Sequence, residues 1–312
     1  MSRQGCFAWG AFAFSLLYAG AMVNAVGAEP DGFHVEQRDD RLIITHASAP
    51  VAHFIFRDDK VLRPFFAHVH APGGIQVTRS FPPVEGVDRV DHADMHPGIW
   101  LGFGDISGTD FWRNKGRIVH ERYVDPPVIQ GGKLSFATDS AMLTAEGVKL
   151  AMLLTRITLI AKPEAWHLTW DAAFTPVVEG FYLGDQEEMG LGVRVATPLS
   201  EKSGGLITSS TGATTAKATW GQPASWCDYS GVINGRHVGI MIVPDPSNPQ
   251  PSWWHNRDYG VFVSNPFGRK AMKQGEVSRI EVKRGASYRL SHRVIIHSST
   301  SEQPLDLKQL AQ

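Results

Sequence analysis

Cysteine is almost absent from this chain, whose 312 residues include only Cys6 and Cys227. Cys6 lies in an N-terminal segment that we expect to be removed on export, which leaves one thiol and no intrachain disulfide. A chain without disulfides needs a large hydrophobic core, and this need excludes a small disulfide-stapled module. Cys227 itself fits a small buried side chain better than a nucleophile.

An excess of charge of one sign is also missing. The 30 Lys and Arg residues nearly balance the 31 Asp and Glu residues, and no stretch concentrates the basic ones. Nucleic-acid binding needs a basic surface, so we expect no nucleic-acid partner. Beyond the N-terminal segment, no apolar run approaches the roughly 20 residues of a membrane span. We therefore expect no membrane partner for the mature chain.

The N-terminal segment has the three parts of a secretory signal. Arg3 stands in a short polar start, residues 7–23 are almost wholly apolar, and small residues follow up to Ala25 and Ala28. We predict a signal peptide over residues 1–28, cleaved after Ala25 or Ala28, and a periplasmic or secreted protein. An uncleaved anchor is the alternative, but the apolar run is short for a membrane span.

Long helical periodicity is scarce, and the alternation typical of strands replaces it. Residues 149–160 and 166–174 alternate apolar and polar side chains, as half-buried antiparallel strands do. An Asn-Gly pair at 234–235 is typical of a two-residue hairpin turn. Only residues 304–310 read as a helix. We predict a single all-β domain over residues 29–312, a large antiparallel β-sandwich with few short helices.

Shorter strands complete this prediction. They are expected at 33–38, 41–45, 51–56, 75–79, 118–124, 128–129, 134–138, 142–145, 232–243, 259–264, 278–283 and 288–297. Between them lie loops, and long loops between sheet strands are the usual location of functional sites.

The segment 91–112 concentrates side chains that can move protons or bind sugars. Its candidate residues are His92, His96, Trp100, Asp105 and Asp110. Carboxylates and imidazoles hydrogen-bond to sugar hydroxyls, and indoles stack on sugar C–H faces. We expect a functional site here. The alternative is an aromatic-rich turn whose histidines bind backbone carbonyls.

A second segment, residues 185–195, places acids just before a strand. Glu187 and Glu188 precede that strand, and Arg194 lies within it. An acid beside a buried arginine suits a positioned general base or a substrate clamp. The alternative is a solvated acidic loop with an ion-paired arginine.

A third segment, residues 244–260, is rich in proline and aromatic rings. Its candidate residues are Trp254, His255, Arg257, Asp258 and Tyr259. Proline stiffens the backbone, so these side chains are expected to form one wall of a pocket. The alternative is an ordered loop that caps the core with its indoles.

The two histidines of the first segment also allow a metal to be considered. His92 and His96 lie four residues apart with Asp91 and Asp94 beside them, a composition found in iron and zinc sites. On a helix the two rings would share a face, but Pro97 argues against a helix. We therefore predict no cofactor and keep a metal at His92 and His96 as an alternative.

Several motifs together resemble a known family. They are the run 91–100 with its two histidines and Trp100, the run 104–112, the run 191–198, and residues 257–260 with 265–267. They resemble a domain-of-unknown-function family often labelled "methane oxygenase PmoA", and the resemblance covers nearly all of the mature chain. In that family Arg-Gly often follows the second histidine, where this chain has Pro97 and Gly98. A membrane copper oxygenase would need several transmembrane helices, which this sequence lacks.

The resemblance implies a fold similar to the galactose-mutarotase-like β-supersandwich, whose members commonly act on sugars with His and Glu or Asp side chains. We therefore interpret the chain as an exported enzyme that epimerises, cleaves or hydrolyses a sugar or glycan by acid–base chemistry. The expected roles are proton donor or hydroxyl ligand for His92 and His96, base for Glu187 or Glu188, substrate orientation for Arg194 and Arg257, and stacking for Trp100 and Trp254. The alternatives are a non-catalytic glycan-binding β-sandwich and a metal-dependent oxygenase.

Overall fold

The structure is a computed structural model that describes Met1, Ala25–Val26 and residues 32–312. The predicted signal peptide over residues 1–28 lies almost wholly outside the described residues, and so does Ala28, one of its two predicted cleavage positions. Everything that follows concerns the described part of the chain.

Strands dominate the described residues. In chain order they are β1 (Ala25–Val26), β2 (Phe33–Gln37), β3 (Arg41–His46), β4 (Ala49–Ile55), β5 (Phe65–Ala67), β6 (His70–Ala71), β7 (Ile75–Gln76), β8 (Ile99–Phe103), β9 (Arg117–Gln130), β10 (Lys133–Leu143), β11 (Lys149–Lys162), β12 (Ala165–Pro176), β13 (Gly180–Leu183), β14 (Met189–Arg194), β15 (Leu206–Ser209), β16 (Cys227–Ile233), β17 (Arg236–Pro244), β18 (Trp253–Trp254), β19 (Val261–Asn265), β20 (Ile280–Lys283) and β21 (Tyr288–Ser298). The predicted all-β class is confirmed.

Helical structure in the described residues is brief. The helices α1 (Ala216–Thr219) and α2 (Leu307–Leu310) have four residues each, and 3-10 turns occupy Thr197–Leu199 and Glu201–Ser203. Neither α-helix approaches the roughly 20 residues that a helix needs to cross a bilayer. The predicted helix at 304–310 is shorter than expected, because Asp306 caps it by accepting hydrogen bonds from the two amides at its start. Helix α1 was not predicted.

Two large antiparallel sheets form the molecule. The first sheet has the order β1-β2-β3-β4-β5-β8-β14-β19-β18, and the second has the order β15-β16-β17-β21-β12-β11-β10-β9. Two small sheets pair β13 with β20 and β6 with β7. The predicted hairpin at 234–235 joins β16 to β17 and is confirmed.

The core lies between the two large sheets. Trp166, Leu168 and Trp170 of β12 alternate inward, which explains the pattern seen in the sequence. Phe54 of β4 lies 5.1 Å from Phe136 of β10, measured between ring centroids, so side chains of the two sheets are in contact across the core. The large antiparallel β-sandwich is thereby confirmed.

A second apolar cluster covers the outer face of the first sheet. Phe65, Trp100 and Val263 belong to it, whereas Leu101, the neighbour of Trp100, points into the main core. Trp112 packs on this outer face from the loop that follows β8. The sheet therefore carries buried side chains on both faces at β8, and the loops that cover its outer face carry the candidate site.

The predicted meander over 118–145 is simpler than expected. Its four short strands are two long ones, β9 and β10, joined by a tight turn. The pairing shifts near Pro126 and Pro127, because Val128 pairs with Ser135 while Asp125 pairs with Ala137. The two prolines lie between the predicted strands 118–124 and 128–129, and here they coincide with a β-bulge within one strand.

Two other strand limits differ from those predicted. The strand predicted at 75–79 ends at Gln76, and beyond it Thr78 forms an isolated bridge to Val195. The strand predicted at 259–264 begins at Val261, because Gly260 adopts a φ of 96° and turns the chain.

Candidate functional site

A buried arginine holds the turn that carries the two candidate histidines. We call residues 89–96 the histidine turn. The Arg79 side chain, only 1% exposed, donates to the carbonyl oxygens of Arg89 at 2.8 Å, Asp91 at 2.6 Å and His96 at 2.8 Å. These bonds reach both ends of the turn and give it a fixed backbone.

Arg63 supports the same turn from the other side. It is 2% exposed and donates to the carbonyl oxygen of Trp112 at 3.0 Å, to Asn114 Oδ1 at 3.1 Å and to the carbonyl oxygen of Met95. The histidine turn is thus tied to the loop that follows β8. A buried guanidinium satisfied by carbonyl groups is costly to lose, since those acceptors would then be left unpaired.

The third buried arginine orients a histidine through a carboxylate. Arg194 of β14 is 1% exposed, and its two terminal nitrogens donate to Asp91 at 3.0 and 2.9 Å. The Asp91 Oδ2 atom lies 3.1 Å from Nδ1 of His92. Burial alone raises the pKa of Asp91, but the hydrogen bonds from Arg194 and His92 outweigh it and hold that pKa far below its ordinary value. Asp91 is therefore ionised and can fix the His92 ring.

His92 and His96 lie in different environments. The His92 side chain is 44% exposed, with a backbone φ of 50°. His96 is 4% exposed and stacks on Trp100, with ring centroids 5.2 Å apart. Burial, followed by the positive charge of Arg194, keeps the pKa of His96 well below its ordinary value, so its imidazole is neutral at pH 7. Its Nδ1 atom is buried and has no hydrogen-bond partner within the described residues.

Glu187 carries a carboxylate that is fixed from two sides. Arg257 Nη2 donates to Oε1 at 3.0 Å, and His255 Nδ1 lies 3.4 Å from Oε2. His255 and then Arg257 lower the pKa of Glu187 to about 2 against the raising effect of burial. His255 is 2% exposed, and burial lowers its own pKa. Its ring is thus buried beside Glu187, and so little of it is exposed that the predicted direct contact with a substrate is not available.

Glu188, the neighbouring acid, is joined to the first segment. Arg113 donates to Glu188 and, at 2.8 Å, to Asp110 Oδ2. Asp110 also accepts from the backbone amides of Trp112 at 2.9 Å and Arg113 at 2.8 Å. The structure thus gives Asp110 a capping role in its own loop, while Arg113 connects the loop to Glu188.

Tyr259 is the residue at which the three segments meet. The Arg194 guanidinium lies 4.9 Å from the centre of its ring, and the His92 ring stacks on it with centroids 6.3 Å apart. Burial raises the pKa of Tyr259, and the charges of Arg257, Arg194, Asp91 and Glu188 all act on its hydroxyl. We call the side chains around it the Tyr259 cluster: Asp91, His92, His96, Glu187, Glu188, Arg194, His255, Arg257 and Tyr259.

Two predicted stacking platforms are not available to a ligand. Trp100 and Trp254 are both fully buried. The Trp254 ring packs in the main core beside Phe262, and its Nε1 donates to the carbonyl oxygen of Ala224 at 3.1 Å. Their predicted role in stacking on a sugar is therefore wrong, and both indoles contribute to packing instead.

Two further candidates lie apart from the cluster's centre. Asp105 Oδ1 accepts from the Gly108 amide at 2.8 Å and closes a tight turn. Asp258 is exposed and lies 3.3 Å from Lys202 Nζ. Neither contact places these carboxylates beside Tyr259.

The sequence assigned no role to three charged residues that build the site, Arg63, Arg79 and Arg113. Asp91 was considered only as a possible metal ligand. One signal was available for Arg79, because it ends an alternating segment in the same way that Arg194 ends β14. Arg194 was interpreted as a buried arginine within a strand and beside an acid, and the same interpretation applied to Arg79.

The metal alternative finds no ligand set in the described residues. The His92 and His96 ring centroids are 5.1 Å apart, and within residues 32–312 no group of three or more His, Cys, Asp or Glu side chains is arranged to hold a metal ion.

A cavity of about 400 Å³ lies beside the histidine turn. It is lined by Lys60, Phe81, Pro82, Pro83, Ala93 and Asp94. Two other cavities, of about 580 and 790 Å³, open on the outer side of the second sheet, one beside Arg289 and the other beside Trp226. The 400 Å³ cavity is thus the one of these three that adjoins a candidate catalytic residue, since Ala93 follows His92 in the chain.

Solved structures similar to this chain include sugar-related proteins, at low similarity. A galactose mutarotase-like protein from Lactobacillus casei has 9% identity and a TM-score of 0.38, over 88% of this chain and 100% of that one. A galactose mutarotase related enzyme from Lactobacillus acidophilus has 11% identity and a TM-score of 0.34, over 91% and 100%. At these values the similarity assigns neither an activity nor a substrate.

A heparinase III has 9% identity and a TM-score of 0.35, with 91% of this chain covered. The chain spans only 37% of the length of that protein. No curated protein matches the sequence.

The sequence also matches a family model over most of its length. Residues 41–312, most of the chain, match the model of DUF6807, described as a family of unknown function. The sequence resemblance predicted a family of unknown function, and the match to DUF6807 confirms that prediction. The description of DUF6807 contains no reference to a methane oxygenase. The chain belongs to the DUF6807 family.

Proposed function

We propose that the protein is an enzyme that transforms a sugar by acid–base chemistry at the Tyr259 cluster. The observation that carries this proposal is the chain of contacts from Arg194 through Asp91 to His92. A buried guanidinium fixes a carboxylate, and the carboxylate holds Nδ1 of an exposed imidazole. The other ring nitrogen, Nε2, is then the atom that exchanges a proton with a substrate.

The carboxylates of the cluster supply the second group that such a reaction needs. Glu187, with its pKa lowered to about 2, stays ionised and takes up protons poorly at neutral pH. We infer that Glu188 is the base, and that Glu187 stabilises positive charge that develops on the substrate. The Tyr259 hydroxyl is left to bind sugar hydroxyls, while the neutral and buried His96 ring packs on Trp100 beside His92.

Epimerisation, elimination and hydrolysis all use such a pair of proton donor and acceptor. The sugar-related neighbours in the solved structures agree with this substrate class, as an analogy from fold alone. The proposed reaction involves no bound cofactor.

The test is a screen of the purified protein on a panel of oligosaccharides, with His92→Ala beside it. His167→Ala is the matched control, because His167 is a half-buried histidine on the outer face of the second sheet. We expect turnover that His92→Ala abolishes and His167→Ala leaves intact. Binding without turnover would indicate a non-catalytic glycan-binding sandwich, and turnover that depends on a metal found by elemental analysis would indicate the oxygenase alternative.

We also propose that the protein is exported. The proposal rests on the signal-like composition of residues 1–28. Expression of the full chain followed by N-terminal sequencing tests it. A mature N-terminus directly after Ala25 or Ala28 is the expected result, and an intact Met1 in the cytoplasm would contradict export.

A further inference from the structure

We propose that the 400 Å³ cavity beside the histidine turn is a binding subsite for a second sugar ring, with Phe81 as its stacking surface. This inference rests on the proposed function and makes its substrate a chain of at least two sugar units. The volume is large enough for one pyranose ring with its hydration and falls within the range of small-ligand sites.

The aromatic wall of the cavity has the accessibility that Trp100 and Trp254 lack. Phe81 is only partly buried and lines the cavity. Its ring packs edge-on against Phe65, with centroids 4.7 Å apart and an interplanar angle of 70°. The contact with Phe65 fixes the Phe81 ring from behind, so its orientation does not have to be established by the ligand.

Polar groups suited to sugar hydroxyls line the same cavity as this ring. Lys60 and Asp94 are exposed, and their charged ends form no ion pair with the described residues. An ammonium group donates to hydroxyl oxygens and a carboxylate accepts from hydroxyl hydrogens. A flat apolar surface with a donor and an acceptor opposite it is the arrangement that binds a sugar ring.

The cavity is preformed because one side chain ties its walls together. Asn114 Nδ2 donates to the carbonyl oxygen of Lys60 at 3.1 Å and to that of Asp94 at 2.8 Å. Asn114 Oδ1 accepts from the amide of Leu62 at 3.1 Å and from Arg63 at 3.1 Å. The wall that carries Asp94 therefore keeps its distance from the wall that carries Lys60 without a ligand.

The position of the cavity connects it to the proposed reaction. Ala93 lines the cavity and directly follows His92, whose ring stacks on Tyr259. A sugar unit in the cavity is therefore next to the unit at the Tyr259 cluster. The subsite would contribute binding energy for longer chains without taking part in proton transfer.

Chain-length dependence of the kinetics tests the subsite. The enzyme is assayed on a monosaccharide glycoside and on oligosaccharides of two to six units from the same polysaccharide. We expect Phe81→Leu, which keeps apolar packing but removes the flat ring, to raise KM for the oligosaccharides about five- to tenfold. The monosaccharide glycoside should change less than twofold, and Phe81→Trp should restore the KM for oligosaccharides.

Val84→Ala is the matched control, because Val84 is 50% exposed on the same loop and does not line the cavity. Equal losses on short and long substrates, or no change at any length, would overturn the subsite while leaving the proposed function intact.

If the wild-type protein turns over no sugar, the proposed function fails. Tryptophan emission of Phe81→Trp, compared with wild type during titration with the same oligosaccharides, then decides the subsite: a saturable difference supports it and no difference overturns it.

Discussion

Arg194 and Asp91 are 103 residues apart in the chain and form an ion pair with two hydrogen bonds of 3.0 and 2.9 Å. The arginine is buried in a strand of the first sheet, and the aspartate lies in the histidine turn. The pair fixes the position of His92 relative to the sheet. It also means that His92 cannot be moved without disturbing a buried charge.

Asp91→Asn should therefore destabilise the protein. The substitution leaves the Arg194 guanidinium buried without a carboxylate, which costs about 3 kcal/mol of unfolding free energy. Urea denaturation measures the change. The control is Glu281→Gln, which removes the acid of an ion pair with both side chains more than half exposed and should cost less than about 0.5 kcal/mol. Equal losses in the two variants would contradict a structural role for the Arg194–Asp91 pair.

Glu187→Gln and Glu188→Gln should separate the roles of the two acids. If Glu188 is the base, its replacement lowers kcat by about 10²- to 10⁴-fold. Replacement of Glu187, whose pKa of about 2 makes it a poor proton acceptor, should lower kcat less than replacement of Glu188 does. Steady-state kinetics on a substrate found in the oligosaccharide screen decide between them. A larger loss in Glu187→Gln would reverse the assignment.

The stability of the protein should fall as the pH falls from about 6.5 to about 4. Burial lowers the pKa of His292 to about 4, so this ring stays neutral in the folded state while the unfolded chain takes up a proton below pH 6.5. Because the pKa of His292 is lower in the folded protein than in the unfolded chain, the contribution of this ring to the free energy of unfolding is complete above pH 6.5. The contribution is lost between pH 6.5 and pH 4 and changes no further below pH 4.

Urea denaturation at half-unit pH steps measures this effect. One such fully buried histidine contributes a slope of at most about 1.4 kcal/mol per pH unit. His53, whose pKa burial also lowers to about 4, adds a second contribution. His53→Gln should therefore reduce the slope. A slope unaffected by His53→Gln would contradict the burial of a neutral ring at that position.

Trp254→Phe should act on stability and leave ligand binding unchanged. The indole is fully buried and donates to Ala224, so the smaller ring leaves a void and an unpaired carbonyl oxygen. We expect a loss of about 2 to 3 kcal/mol in unfolding free energy. Binding of sugars, measured by calorimetry well below the melting temperature, should be unaltered. A loss of binding with unchanged stability would restore the indole as a stacking surface.

The long strands of the second sheet were predictable because one residue in two meets the core. In β11 and β12 the inward residues are apolar and the outward ones mostly polar, so the period is visible in the sequence. In β8 all five residues from Ile99 to Phe103 are buried, because a turn covers the outer face of the sheet. The alternation is hidden there, and this is why Trp100 was expected to face a ligand.

The candidate site was predictable as a list of segments but not as a set of contacts. Acids, imidazoles and guanidinium groups were recognisable near positions 92, 187 and 257 from composition. The partners of Arg63 and Arg79 were not, since these are carbonyl groups of a turn whose folding depends on distant parts of the chain. Every residue has a main-chain carbonyl oxygen, so the residue type does not reveal which of these oxygens accepts a hydrogen bond from a side chain.

The bulge at Pro126 and Pro127 affects how molecules of this protein meet one another. Strand β9 is 14 residues long and lies at the edge of the second sheet, where an unpaired strand of another molecule could add on. Two adjacent prolines offer no amide hydrogen, and the bulge twists the strand away from a flat edge. This long border is thereby protected from growth into strand-linked aggregates.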